Sequence, residues 1–158
     1  MPRITPFLWF NNQAEEAMNF YTSIFPNSKI ASIRRYPEQA TDEHLKGMEG
    51  KVLTGVFDLD GQQFMALDGG PVFTFNEAVS FMISCKDQAE IDYYWEKLSA
   101  VPEAEQCGWL KDKYGVSWQV VPDALGDLMS GPNGNKVAEA IMPMKKLDIE
   151  TLEKAAQD

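Results

Sequence analysis

The chain has 158 residues, enough for one domain with a real core. A net charge of -10 at pH 7 repels nucleic acid and anionic membrane surfaces, so neither is expected as a partner. No apolar run reaches the roughly 20 residues of a membrane helix. The opening MPRITPFLWF leads straight into a strand-like run with no signal-peptide cleavage pattern, and a cytoplasmic protein is expected. Cys85 and Cys107, both in apolar strand-like surroundings, are expected as buried free thiols in a reducing compartment.

In chain order, Ile4 to Phe10 reads as a strand, and Asn12 with Glu15 three residues on reads as a capping-box helix start. Ala14, Ala17, Met18, Tyr21, Ile24 and Phe25 then fall on one helical face, and Pro26-Asn27 stops the helix. Ser28 to Tyr36 is a strand, Pro37 to Gly50 a long charged loop. Lys51 to Leu59 and Gln62 to Leu67 are strands joined by the hairpin signal Asp60-Gly61. The order then recurs: a strand from Val79 to Cys85, and a helix opened by Asp87-Gln88-Ala89-Glu90 with Ile91, Tyr94, Trp95 and Leu98 on one side. A strand around Gln106 to Lys111, a turn at Tyr114-Gly115 and a strand from Val116 to Val121 follow. The two helix starts, Asn12 and Asp87, lie 75 residues apart, and Gln-Ala-Glu follows both. Asp123 to Met129 and Lys136 to Met142 read as helices broken by Gly131-Pro132-Asn133-Gly134, and Asp148 caps a last helix from Ile149 to Ala156. The expected organisation is a single α+β domain, with module one over 1–70, module two over 71–122 and a C-terminal helical extension over 123–158.

The strings ITPFLWFNNQAEEAMNFYTSIFP, EAVSFMISCKDQAEIDYYWEKL, CGWLKDKYGVSWQVVP and MKKLDIETLEKA resemble the PhnB-like branch of the vicinal-oxygen-chelate superfamily. That superfamily includes glyoxalases, bleomycin-resistance proteins and extradiol dioxygenases, and many members of this branch carry a 3-demethylubiquinone-9 3-methyltransferase-like label. The resemblance implies paired βαβββ modules, each curling its sheet into half of a cupped barrel, and a homodimer. In metal-using relatives the ligands point inward from the first and fourth strands of each module. Those positions fall here near Thr5, Met65, Ser80 and Gln119. Two hydroxyls, a thioether and a neutral amide hold a divalent ion poorly, so no metal and no cofactor are expected. The one histidine, His44, sits in a charged loop and reads as a solvated surface group.

Strand alternation separates two faces. Ile4, Pro6, Leu8 and Phe10, like Val79, Phe81, Ile83 and Cys85, or Val116, Trp118 and Val120, are uniformly apolar and should pack under helices. The mixed faces should line a cleft formed by Thr5, Phe7, Trp9, Gln63, Met65, Ser80, Met82 and Gln119. The competing expectation is a filled cavity in which Gln119 hydrogen-bonds Ser80 or Thr5 and only fixes the structure. Lys111 or Asp112 could stand at the cleft mouth or form a surface ion pair, and Asp68 or Glu77 could act as a base, although no paired acid is visible. Cys85 falls on the helix-packed face, which argues against a nucleophile.

The function expected from these residues is metal-free binding of a small molecule, neutral or weakly cationic and partly aromatic. The alternatives are an enzyme of the same fold (a lyase, an isomerase or a 3-demethylubiquinone-type methyltransferase) and an interaction module; whether any reaction is catalysed stays open. Methyl transfer on a nucleotide-type fold would need a glycine-rich turn after the first strand, where this chain has Asn11-Asn12-Gln13. Ile141, Met142, Met144, Leu147 and Leu152 offer apolar surface either for the dimer or for closing the second module within the chain.

Overall fold

A computed structural model describes residues 3–39 and 41–157; residues 1, 2 and 158, on which the signal-peptide reading and the outer domain limits partly fall, lie outside the described residues. The chain divides between Thr74 and Phe75 into two compact units.

The first unit is a βαβββ module: β1 (Phe7–Phe10), α1 (Ala14–Ile24), β2 (Lys29–Arg35), β3 (Val52–Leu59) and β4 (Gln62–Asp68), in the sheet order β1-β4-β3-β2. β1 lies parallel to β4, and the other pairs are antiparallel. Alternation along the strands sends Leu8, Phe10, Phe57, Leu59, Phe64 and Ala66 into the core with Ala14, Ala17, Met18, Tyr21 and Ile24 of α1. Each large side chain so buried contributes roughly 1.5–3 kcal/mol. Gly55 carries no side chain where α1 crosses β3, and a Cβ there would run into the Met18 thioether 2.5 Å away. Among its described residues, the charged loop between β2 and β3 holds a short 3-10 turn, Glu43–Leu45, capped by Asp42.

The start of α1 differs from the capping box read at Asn12 and Glu15. Its N-cap is Gln13, which makes no side-chain cap hydrogen bond. Glu15 instead takes two hydrogen bonds from Arg35 of β2, at 2.9 and 3.0 Å. The first amide of the helix, Ala14 N–H, donates to Asp68 Oδ1 at the end of β4. A carboxylate 54 residues away thus replaces the local cap.

The second unit holds β5 (Ser80–Cys85), α2 (Gln88–Leu98), β6 (Trp109–Lys111) and β7 (Ser117–Pro122), with sheet order β5-β7-β6. The repeat is visible in the topology: in each unit the first strand lies parallel to the last, β1 on β4 and β5 on β7. Asp87 caps α2 as expected, accepting from Glu90 N–H while Glu90 accepts from Lys86 N–H. β6 is shorter than the strand read from Gln106, because Cys107 and Gly108 have φ of 54° and 86° and turn the chain. Cys107 is therefore half-buried in a left-handed turn rather than buried in a strand, whereas Cys85 is buried as expected; both are free thiols.

Three helices complete the unit: α3 (Leu125–Ser130), α4 (Gly134–Ile141) and α5 (Ile149–Gln157). Val121 of β7, Val137, Leu147 and Leu152 form a buried cluster, with Ile141 and Met144 packed against it. Cys107 N–H and Gly108 N–H donate to the carbonyls of Met144 and Lys145, so the segment before α5 covers the chain just ahead of β6. Most of the apolar C-terminal surface is used inside this unit, while Met142 remains 65% exposed. Among the described residues no helix is long and apolar enough to cross a membrane.

Candidate functional site

In the first unit the face opposite α1 carries the residues selected by alternation. Phe7 and Met65 are neighbours across the parallel β1–β4 pair, and Trp9 neighbours Leu67. Phe7 is 49% exposed, in contrast to the buried Leu8 beside it. Trp9 rests on the linker: its indole N–H donates to the Gly70 carbonyl at 3.0 Å, and Phe73 meets its ring edge-on at 4.9 Å. Gly69 is needed here, since any Cβ would collide with the Trp9 ring. Thr5 and Gln63 line one pocket of about 320 Å3 with Arg3, Ile4, Gly61 and Gln62.

In the second unit Ser80, Met82 and Gln119 share the face opposite α2. Met82 and Gln119 are partners across β5–β7, as are Ser80 and Ser117. Gln119 Nε2 donates to Ser80 Oγ at 2.9 Å. Of the two partners expected for this amide, the structure has Ser80. Met82 is 59% exposed. The lower end of the same face is closed, because Val121, read as part of the mixed face, is buried against α4 and α5.

One residue on this face, Trp109, was not singled out for binding, while Lys111 was expected at the cleft mouth or in a surface ion pair. Trp109 is the antiparallel partner of Gln119, and Lys111 the partner of Ser117. The signal was present in the sequence: folding the chain back about Tyr114 sets position 109 against 119. Lys111 forms an ion pair with Glu77 at 2.6 Å, and that hydrogen bond holds the Glu77 carboxyl below the usual carboxylate range. Glu77 is thereby engaged as an ion-pair partner.

Asp112 and Asp68 stand elsewhere. Asp112 is buried rather than at the surface and accepts from Tyr114 N–H, Val116 N–H and the Trp118 indole, so it builds the turn into β7. Asp68 is buried too, accepting from Ala14 N–H and Val52 N–H. Tyr36 donates its hydroxyl to the Asp68 carbonyl, and burial, with the Asp68 charge second, pushes that phenol up. Burial and the carboxylates of Glu90, Asp87 and Asp123 push the Cys85 thiol up to about 12, which makes it a poor nucleophile. His44 is exposed, with Nδ1 3.0 Å from Asp42.

The metal-bearing positions implied by the resemblance do not fit a divalent ion: Thr5, Met65, Ser80 and Gln119 supply no carboxylate, imidazole or thiolate. Among the described residues no group of three or more His, Cys, Asp or Glu side chains is placed to hold one.

Residues 2–121 match the family model described as 3-demethylubiquinone-9 3-methyltransferase. A solved structure from Bacillus cereus, proposed in its description to be a 3-demethylubiquinone-9 3-methyltransferase and a PhnB protein, is 42% identical. The match covers 76% of this chain and 99% of that one, with a TM-score of 0.62. A protein from Pseudomonas aeruginosa (20% identity, 77% and 98% covered, TM-score 0.60) and a gene product from Arabidopsis thaliana (20%, 76% and 98%, 0.50) share the fold. Comparison with the curated proteins finds no match.

Proposed function

We propose a metal-free small-molecule binding role for this chain, which belongs to the 3-demethylubiquinone-9 3-methyltransferase family, the PhnB-like members of the glyoxalase fold. One observation carries the reading: the sheet face opposite the helix in each unit is left partly open, with large apolar side chains beside neutral hydroxyls and amides. Phe7 at 49% and Met82 at 59% exposure are the clearest cases. Exposed apolar groups beside a few fixed polar ones favour an uncharged or weakly cationic, partly aromatic ligand. The Gln119–Ser80 hydrogen bond is compatible with binding, since it orients the amide without using all its hydrogen-bonding capacity.

Differential scanning fluorimetry against neutral aromatic and quinone compounds, run beside titrations with zinc, nickel, manganese and ferrous ions, tests the reading. Saturable stabilisation by a neutral compound without a metal supports it. Tight stoichiometric metal uptake, or a flat response to every compound, overturns it. The proposal includes a homodimer, because Ile4, Val72 and Phe73 leave apolar surface at 94%, 68% and 60% exposure.

A further inference from the structure

We infer that Trp109 and Gln119 together form a subsite for a planar, uncharged ligand whose edge presents a hydrogen-bond donor next to an acceptor. The inference rests on the binding role proposed above and narrows its ligand class.

Met82, Gln119 and Trp109 form one row across β5, β7 and β6. Val120 N–H donates to Gly108 O, and Asp112 N–H donates to Val116 O. The 108/120 and 112/116 pairs are therefore hydrogen-bonded positions, and Trp109 and Gln119 fall at a non-hydrogen-bonded one. Side chains stand closest at such positions, with Cβ atoms about 4.5–5.5 Å apart. A flat indole is thus held beside a flat amide.

The indole and the amide differ in what they leave available. Gln119 has one N–H fixed on Ser80 Oγ at 2.9 Å. Its other N–H and its Oε1 meet no partner among the described residues. Ser80 accepts that bond through oxygen and keeps its own proton to donate. The Trp109 indole N–H likewise has no acceptor among the described residues, whereas the Trp9 indole is committed to Gly70. Trp109 is half-buried, so this polar atom is reachable. Along the neighbouring row, the Lys111 charge is neutralised by Glu77 at 2.6 Å. The face thus offers an aromatic surface, the Met82 thioether, donors and one amide acceptor, with its nearby cation already paired. That combination suits a lactam or enol edge on a flat ring system better than a carboxylate or an ammonium.

The test titrates the full chain with 2-quinolinone, whose ring N–H adjoins its carbonyl, and with 1-methyl-2-quinolinone, which lacks that donor. Tryptophan indole N–H resonances are followed by NMR, with Trp109 assigned from the Trp109→Phe variant. Saturable 2-quinolinone binding should move the Trp109 resonance. Trp109→Leu, which keeps apolar bulk without a flat face, should weaken it about tenfold, the scale of one lost stacking contact. Gln119→Leu and the N-methyl probe should each weaken it by a similar factor, and Trp109→Phe should keep most of the affinity. An unchanged thermal midpoint in the Leu variants separates lost binding from lost folding; if a midpoint falls, the Trp109 resonance shift and the N-methyl probe, both read on the native chain, decide the test. Saturable binding of any neutral compound that leaves the Trp109 resonance in place, or that survives Trp109→Leu, overturns this subsite and leaves the binding role standing. No saturable binding by any neutral compound overturns both.

Discussion

Asp68 is 3% exposed and directs its two carboxylate oxygens at backbone amides from other elements, Ala14 and Val52. Removing it strands two buried donors, each costing about 1–3 kcal/mol. Asp68→Ala should therefore lower unfolding stability by about 2–5 kcal/mol in urea titrations, and Asp68→Asn, which keeps one acceptor, by clearly less. Equal losses in both variants would put the contribution in the charge instead. The thiols provide a second check at this scale. Cys85 is buried and its thiol is pushed up to about 12, whereas Cys107 is half-buried at a turn. A disulfide-exchange reagent at pH 8 should label one thiol quickly in the native chain and both after denaturation. Because the folded value lies above the unfolded one, this contribution to stability is complete below about pH 8.5 and is lost as pH rises toward 12. The capping role of Asp68 is not legible in the sequence, where it reads as a possible base: a carboxylate that caps a helix 54 residues away leaves no local pattern.

The elements were more legible than their ends. Period-two alternation separated the buried from the open face of β1 and β4, because a strand under one helix must bury every second side chain; it failed for Ile4 and Val79, read as helix-packed but 94% and 66% exposed, since both precede the strands that begin at Phe7 and Ser80. It failed at Val121, where a helix covers the second face as well. It also failed at Gln106 to Gly108, where two positive φ values end the strand pattern. Trp109 reads locally as one residue of a strand, and its place beside Gln119 depends on register with β7 and not on its own strand. The attachment of α5 was likewise invisible locally. Gln88 at the start of α2 donates to the Leu147 carbonyl and accepts from Ile149 N–H, while Lys146 pairs with Asp92 at 2.7 Å. The Lys146 hydrogen bond, with Gln88 second, holds the Asp92 carboxyl below its usual range, so this tie persists above the ordinary carboxylate titration and is lost as pH falls through the lowered value. Gln88→Ala should raise hydrogen exchange in α5 selectively, by the loss of about 1–3 kcal/mol of local stability. Leu152→Ala, which hollows the buried cluster itself, should cost about 2–5 kcal/mol in global unfolding.

For the whole molecule, the family match ends at residue 121, and α3 to α5 lie beyond it. These helices could have supplied the contact surface of a dimer or the cover of their own unit. Leu147 and Leu152 are fully buried in the second unit, with Ile141 and Met144 packed on them, which leaves Met129 and Met142 as the exposed large apolar groups of the C-terminal helical segment. Ile4, Val72 and Phe73 in the first unit leave more apolar surface uncovered. Self-association through the first unit therefore removes more apolar surface from water than association through the C-terminal helices. It also brings together two copies that each carry a charge of -10, so added salt should strengthen it by screening. In sedimentation velocity, the native chain should run as a dimer that tightens with salt. The double variant Val72→Lys with Phe73→Lys should shift it to monomer, while Met142→Lys leaves the mass unchanged. If Met142→Lys dissociates the pair and the linker variant does not, the C-terminal helices are the interface after all.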